Sequence, residues 1–259
     1  MIPKIIHYCW FGNKPLPETA KKCIASWKKH CPDYKIIQWN ESNFNLSDCP
    51  QYVKDAYNEK KYAFATDFIR LKVVYEHGGI YFDTDVELIK KFDNLLSYDA
   101  FFGFENGKQV ATGLGFGAKK GHYILDEMMN DYYNKSFILS DGSLNQETCP
   151  MINTRILLQH GLKQNDKKQT LDNNILILPS IYMCPISFET GYMKKSYKTF
   201  SIHWFDASWM SAADADYHRR HRDALQKQKN DFWKHLPNRL LKSILGENNY
   251  DFLKRKIKK

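Results

Sequence analysis

The residues best placed to do chemistry lie in the stretch from Tyr62 to Leu88, YAFATDFIRLKVVYEHGGIYFDTDVEL. Its last third carries Gly78-Gly79, the short apolar run Ile80-Tyr81-Phe82, and then Asp83-Thr84-Asp85. Side chains alternate along an extended strand, so Asp83 and Asp85 are expected to point the same way, about 6–7 Å apart at their backbones. Like charges that close are costly unless a cation or hydrogen-bond donors sit between them, and hard carboxylate oxygens suit Mg²⁺ or Mn²⁺. The pair therefore reads as a metal site for a phosphate-bearing substrate. A bare D-x-D is more often a solvated loop with two unrelated acids. The apolar lead-in, the paired glycines and a polar pair just upstream favour the site.

That upstream pair is Asp67 and Arg70, three apart in a helix-like run and so on one face. Arginine offers a planar fork to a diphosphate, and an aspartate accepts hydrogen bonds from sugar hydroxyls. The ordinary alternative is an intrahelical salt bridge worth a few tenths of a kcal/mol. His203, closing the strand-like run Phe200-Ser-Ile-His-Trp, is a competent third ligand for a metal already held by carboxylates, although single histidines beside tryptophans are more often structural. Trp10, at the carboxyl end of the first strand, lies where ligands of open α/β sheets bind and can stack on a nucleobase. Tryptophans at strand ends are, however, more often core.

The elements that must position these residues read as an α/β fold. Residues 2–10 form a first buried strand, 18–30 a helix with Ala20, Ile24 and Trp27 on one face, and 34–39 a second strand. A strand-helix-strand unit of this kind implies parallel pairing. Residues 40–50 read as loop and 51–61 as a short helix. The next helix spans 62–77, with Phe64, Phe68, Leu71, Val74 and Tyr75 supplying an apolar face and Gly78 at its end. Strands follow at 80–82, 100–104, 175–178 and 200–204, and helices at 121–133 and 144–160. Thr112 to Gly117, TGLGFG, reads as a glycine-spaced strand or turn, where another backbone or a ligand comes close.

The chain has 259 residues, 43% hydrophobic and 15% aromatic, enough for a full core and incompatible with disorder. No stretch approaches the roughly 20 apolar residues that span a bilayer, and the first residues lack a signal-peptide pattern. Six cysteines without C-x-x-C spacing read as reduced, buried apolar residues of a cytosolic protein. The formal net charge of +9 is uneven: residues 217–259 hold 13 Lys/Arg against 4 Asp/Glu, leaving 25 against 25 in residues 1–216. The division expected is thus a neutral domain at 1–216 and a basic amphipathic helical tail at 217–259. Leu240, Leu241, Ile244 and Leu245 fall on one side of that tail, Arg239 and Lys242 on another. Such a helix can lie on an anionic membrane surface, at about 1 kcal/mol per basic residue, or dock its leucines on the body with the lysines solvated.

Taken together, the motifs IPKIIHYCWFG, AFATDFIRLKVVYEHGGIYFDTDVEL, TGLGFGAKKGH and HWFDASW resemble the DxD-containing sugar transferases of glycosyltransferase family 32, and more distantly the catalytic core of the large clostridial glucosylating toxins. The resemblance implies a GT-A fold, Rossmann-like, with a mixed, mostly parallel sheet flanked by helices. It further implies a divalent cation, Mn²⁺ or Mg²⁺, a nucleotide-sugar donor, UDP-hexose or UDP-N-acetylhexosamine being the commoner bacterial case, and retention of anomeric configuration. Carried over to this sequence, Trp10 contacts the base, and Thr66, Asp67, Arg70 and Tyr81 belong to the donor site. Asp83 meets ribose or sugar hydroxyls near the metal, Asp85 and His203 bind the metal, and Ser208-Trp209 close over the diphosphate. The sequence offers no convincing carboxylate nucleophile, so attack from the leaving-group side is expected, the phosphate taking the acceptor proton. The resemblance and the charge asymmetry together imply a saccharide acceptor, lipid-linked in capsule, O-antigen or exopolysaccharide synthesis, at the inner face of the plasma membrane. No nucleic-acid partner is expected.

Two other classes compete. An apolar strand followed by D-x-D-x-[TV] also fits a phosphohydrolase of the haloacid dehalogenase type, which leaves the twin glycines and Asp67/Arg70 unexplained. A non-catalytic module binding nucleic acid or another anion through the basic tail leaves the whole middle motif unexplained.

Overall fold

The computed structural model describes residues 1–206 and, beyond them, residues 216, 217, 220, 223, 224 and 227. Ser208, Trp209 and the amphipathic stretch of the basic tail lie outside the described residues. Two compact units are distinguishable: Met1–Ser187 with Met193–Met210, and Phe188–Tyr192 with Ser211–Lys259. In the second, residues 188–192 make a turn in which Tyr192 N donates to Thr190 Oγ1 (3.3 Å).

The first unit runs β1 (Ile5–Cys9), α1 (Glu18–His30), β2 (Lys35–Trp39), α2 (Gln51–Asn58), α3 (Tyr62–His77), β3 (Gly79–Tyr81), β4 (Val86–Leu88), β5 (Ala100–Gly103), β6 (Phe116–Ala118), α4 (Tyr123–Tyr133), α5 (Cys149–Gln159), β7 (Gln169–Leu171), β8 (Ile175–Leu178), α6 (Ser180–Met183) and β9 (Ser201–His203). Seven strands form one sheet in the order β2-β1-β3-β6-β5-β8-β7. The pairs β1–β2, β1–β3 and β5–β8 are parallel, whereas β6 and β7 run against their neighbours. The fold is thus the mixed, mostly parallel α/β sheet flanked by helices that the sequence implied. Its central strands are apolar throughout because both faces are covered. One face packs the buried residues of α2, α3, α4 and α5, and the other packs α1 with β4 and the segments around Phe92 and Phe200. Among the described residues no helix is long and apolar enough to cross a membrane.

Local chemistry explains where the elements begin and end. In α1, Pro17 precedes the first turn, Glu18 lies in it, and Lys28, Lys29 and His30 occupy the last turn, each favourable to the helix dipole. Helix α3 is buried on nearly every side, so its polar residues Asp67 and Arg70 meet other elements rather than water. At its end Gly78 adopts φ 66° and Gly79 φ 112°. A Cβ on Gly79 would also stand 2.7 Å from Ile5 O, so this corner between α3 and β3 admits only glycine.

The structure corrects several boundaries. Helix α5 starts at Cys149 rather than 144, because Pro150 belongs in a first helical turn and disfavours helical geometry before it. Helix α4 starts at Tyr123, after Gly121 at φ 70°. Of TGLGFG, only Phe116-Gly117 joins a strand, and 112–115 form a turn. Strand β3 ends at Tyr81, so Asp83 and Asp85 do not sit on an extended strand. Val86 N instead donates to Asp83 O (3.1 Å), and the chain turns there into β4. Strands β4 and β7 and helix α6 had no sequence-based expectation.

One buried group predicts how the fold responds to acid. His7 in β1 is fully buried, its Nε2 lies 2.8 Å from Gly78 O, and Trp39 Nε1 donates to its Nδ1 (3.1 Å). The ring is therefore neutral with the proton on Nε2. Burial, with His77 and Lys35 adding to it, lowers the pKa from 6.5 to about 4, against the pull of the Gly78 carbonyl. Below 6.5 the unfolded chain takes up a proton that the folded chain refuses until about pH 4. His7 thus contributes stability that is complete above 6.5 and lost as pH falls through that window, about 3 kcal/mol in all. The stability of wild type relative to His7→Gln, measured by denaturant unfolding, should fall by about that amount between pH 7 and pH 4. A difference independent of pH would contradict it.

Candidate active site

At the carboxyl end of β3 the turn from Asp83 to Val86 is fixed from both sides. Helix α1 holds it below, Trp27 Nε1 donating to Val86 O (2.7 Å) and Ser26 Oγ accepting from Leu88 N (2.9 Å). Strand β9 holds it in register, with Val86 opposite His203. That register carries His203 to Asp85 across more than a hundred residues of sequence. The result is a group in which Asp83, Asp85 and His203 each offer a ligand atom within 4.8 Å of the others. Asp83, Asp85 and His203, the ligand set expected from the sequence, therefore do meet, but through a turn and a two-stranded ladder rather than through the alternation of one strand.

Arg70 ties this turn to α3. Its side chain is 4% exposed, and Nη2 lies 3.0 Å from Asp67 Oδ1 and 3.2 Å from Asp83 Oδ1. Nη1 donates to Cys149 Sγ at the start of α5 (3.5 Å), and the guanidinium lies 5.2 Å from the Tyr81 ring centre. Asp83 Oδ1 also accepts from the Tyr81 hydroxyl (2.9 Å), and Asp83 N donates to Gly113 O (3.2 Å). Gly113 is glycine for a steric reason: a Cβ there would stand 2.5 Å from Asp83 Oδ2 and 3.2 Å from Arg70 Nη1. The Asp67–Arg70 pair is thus the intrahelical bridge that the spacing allowed, extended by a second carboxylate into a buried network.

Asp85 is held differently. Its Oδ1 lies 3.3 Å from His203 Nε2, its Oδ2 accepts from Asp206 N (2.9 Å), and its carbonyl accepts from Trp204 N (3.0 Å). Burial alone would push its pKa up. The His203 charge, the His203 hydrogen bond and the Asp206 N–H outweigh that, and the carboxyl lies below its ordinary range. Burial disfavours charge on His203, but Asp85 beside it wins and raises the imidazole well above its usual value. The other two acids go the opposite way. Burial pushes Asp67 up to about 6 despite Arg70, and raises Asp83, with Asp85 adding to the effect.

Thr66 and Trp10 are more peripheral in what they touch. The Thr66 hydroxyl donates back to Ala63 O (2.9 Å) within α3, and Trp10, half-buried past the end of β1, donates from Nε1 to Lys14 O (2.6 Å). Sequence reasoning passed over one acid that the structure brings here. Glu105 follows β5, and its carboxyl is raised by burial and by Asp83, against the pull of His203. The signal available in the sequence was only an acid just past an apolar strand.

The donor set fits a divalent cation. Two carboxylates and an imidazole are ligands that Mn²⁺ and Mg²⁺-type oxygen sites accept, the imidazole favouring Mn²⁺. Asp67, Asp83, Asp85 and Glu105 outnumber the bases Arg70 and His203, which leaves a local deficit of positive charge. His203 Nε2 faces Asp85, and its Nδ1 is buried without a hydrogen-bond partner. Mn²⁺ should bind the protein, and Asp85→Asn, His203→Ala and Gly113→Ala should each weaken it about tenfold or more. Tyr81→Phe, which leaves every ligand in place, should stay within about threefold. Calorimetry of the four variants checks this, and unchanged affinity in His203→Ala would remove the imidazole from the set.

Residues 17–102, from α1 to the third residue of β5, match the family described as "Glycosyltransferase sugar-binding region containing DXD motif". The chain is 32% identical over 141 residues to "Inositol phosphoceramide mannosyltransferase 3" of Schizosaccharomyces pombe, covering 50% of this chain and 37% of that one. It is 26% identical over 225 residues to "Mannosyl phosphorylinositol ceramide synthase SUR1" of Saccharomyces cerevisiae, covering 83% of this chain and 55% of that one. The chain thus spans between about a third and about half of the length of these curated relatives. Among solved structures, "PaToxG Glycosyltransferase" aligns with 21% identity over 61% of this chain and 69% of that chain, at a TM-score of 0.47. The segment that matches this family, residues 17–102, carries Asp67, Arg70 and the Asp83-Thr84-Asp85 motif.

Proposed function

We propose that this chain is a metal-dependent, retaining glycosyltransferase that moves a sugar from a nucleotide-sugar to a saccharide acceptor. The observation that carries the reading is the meeting of Asp83, Asp85 and His203 beside the buried Arg70 network, within and next to a segment of the DXD-containing family. Asp83, Asp85 and His203 would hold the cation, which supplies charge to a departing diphosphate. Arg70 keeps Asp83 oriented toward that position, and Asp85 stays ionised over the whole neutral range because His203 and the Asp206 N–H hold it. Trp10, half-buried at the end of β1, offers a ring to the base. The proposed donor is a UDP-hexose or UDP-N-acetylhexosamine. As the acceptor oxygen bonds to the anomeric carbon, the bond to the diphosphate breaks on the same face, and the departing phosphate oxygen keeps the electron pair and takes the acceptor proton.

The names of the two fungal relatives specify mannosyl transfer to a phosphoinositol ceramide, a lipid carrying a polyol phosphate. That supports a lipid-linked acceptor here, in bacterial surface-polysaccharide synthesis, with the enzyme in the cytoplasm and peripheral on the membrane through its basic tail. The haloacid dehalogenase reading needs a lysine beside the aspartate. Among the described residues no lysine pairs with Asp83 or Asp85, and the bases present are Arg70 and His203.

Release of nucleotide from a panel of UDP- and GDP-sugars, with and without Mn²⁺, tests the reading. One donor should be cleaved in a metal-dependent way, and Asp85→Ala should lower that rate by about a hundredfold or more. Hydrolysis of simple phosphate esters, with no donor cleaved, would favour the phosphohydrolase instead. Removal of residues 234–259 should abolish co-sedimentation with anionic vesicles while leaving donor cleavage intact, and unchanged sedimentation would overturn the tail's role.

A further inference from the structure

Glu105 is the charged group at the site that neither the family match nor the metal set uses. It lies beyond residues 17–102, and the ligand group comprises Asp83, Asp85 and His203 without it. The main chain around it is fully paired. Phe104 N donates to Leu178 O (2.9 Å), Phe104 bridges to Val110, and Glu105 N donates to Gln109 O (2.8 Å). This hairpin leads straight back to the site, since Ala111 N donates to Gly103 O (3.3 Å) and Gly113 O accepts from Asp83 N (3.2 Å). Glu105, the 111–113 segment and Asp83 are therefore neighbouring pieces of backbone at one edge of the sheet. The Glu105 side chain is half-buried and interacts electrostatically with Asp83 and His203, yet among the described residues its carboxylate makes no hydrogen bond and no ion pair.

A half-buried carboxylate without a partner is partly desolvated, and the two bases of the site, Arg70 and His203, are committed elsewhere. Arg70 holds Asp67 and Asp83, and His203 holds Asp85. An ionised carboxylate only accepts hydrogen bonds, so the group it awaits must donate. Of the parts of a nucleotide-sugar, the diphosphate is anionic and repelled, and the base belongs near Trp10 at the end of β1. The uncharged, hydroxyl-rich sugar next to the metal-bound diphosphate is what remains.

We propose that Glu105 binds hydroxyls of the sugar being transferred and thereby sets which sugar the site accepts. The proposal rests on the donor-site reading above and deepens it. It makes Glu105 a substrate-contacting residue, outside the metal set and never bonded to the sugar.

The test uses the full chain with Mn²⁺ and measures binding of Mn²⁺, UDP, GDP, UDP-glucose, UDP-galactose, UDP-N-acetylglucosamine and GDP-mannose to wild type, Glu105→Ala and the nearly isosteric Glu105→Gln. In Glu105→Ala, Mn²⁺ and the free nucleoside diphosphate should bind within about twofold of wild type. The preferred nucleotide-sugar should bind about tenfold to a hundredfold more weakly, as expected for hydrogen bonds to a charged group. Glu105→Gln, which keeps one acceptor oxygen, should fall between. Weakened Mn²⁺ binding in Glu105→Ala would make Glu105 a metal ligand and overturn the proposal. Equal affinity of all three proteins for the nucleotide-sugar would overturn it too, as would a sugar found covalently attached to Glu105 by mass spectrometry. A wild type that binds Mn²⁺ and UDP or GDP but gains nothing from the attached sugar sinks this proposal alone. A wild type that binds neither metal nor nucleotide removes the donor-site reading with it.

Discussion

A single buried guanidinium organises the centre of this protein. Arg70 is held on α3 among apolar neighbours, where an unpaired charge would cost several kcal/mol, and it is tolerated because Asp67 and Asp83 meet it from two elements. Breaking such a buried pair leaves a charge uncompensated, a loss of about 3–5 kcal/mol. The demand runs both ways: Asp83 can stand at a crowded sheet edge only because Arg70, the Tyr81 hydroxyl and the missing side chain of Gly113 make room and charge for it. Helix, strand end and return loop are thus fixed to one another by electrostatics as much as by packing.

The second constraint is the short β4–β9 ladder. Its register decides whether the site exists, since Val86 opposite His203 puts the imidazole on Asp85. A slip of one residue would turn His203 to the other face. Trp27 and Ser26 of α1 bond to β4 and so guard that register from the opposite side. The two halves of the site are then complementary. Burial keeps Asp83 raised despite Arg70, His203 holds Asp85 ionised, and between them lies a deficit of positive charge suited to a divalent cation.

Much of this was legible in the sequence wherever the cause was local. The limits of α1 and α3 follow from Pro17, Glu18 and Gly78, and the apolar runs of β1 and β8 from their own residues. Asp67, Arg70, Asp83 and Asp85 stood out by spacing, and His203 by its place at a strand end. What escaped was non-local. Nothing near Val86 announces a partner at 203, and although Val86-Glu87-Leu88 alternates apolar and polar, three residues are too few to read as a strand. The link from Arg70 to Asp83 depends on the Gly78-Gly79 corner folding α3 back beside β3, which spacing alone does not specify. Asp83 and Asp85 were expected to converge by strand alternation, and they converge because the chain turns. Glu105 escaped because an acid after a strand is common, and only the hairpin back to Gly113 makes this one part of the site.

The central claim is that one metal ion is shared by Asp83, Asp85 and His203. Electron spin-echo measurement on the Mn²⁺-loaded protein tests it directly, because a ligating imidazole nitrogen modulates the echo. The account predicts modulation from one directly bound nitrogen in wild type, absent from His203→Ala and kept in His7→Gln. Mn²⁺ bound tightly with no nitrogen coupling in wild type would contradict it.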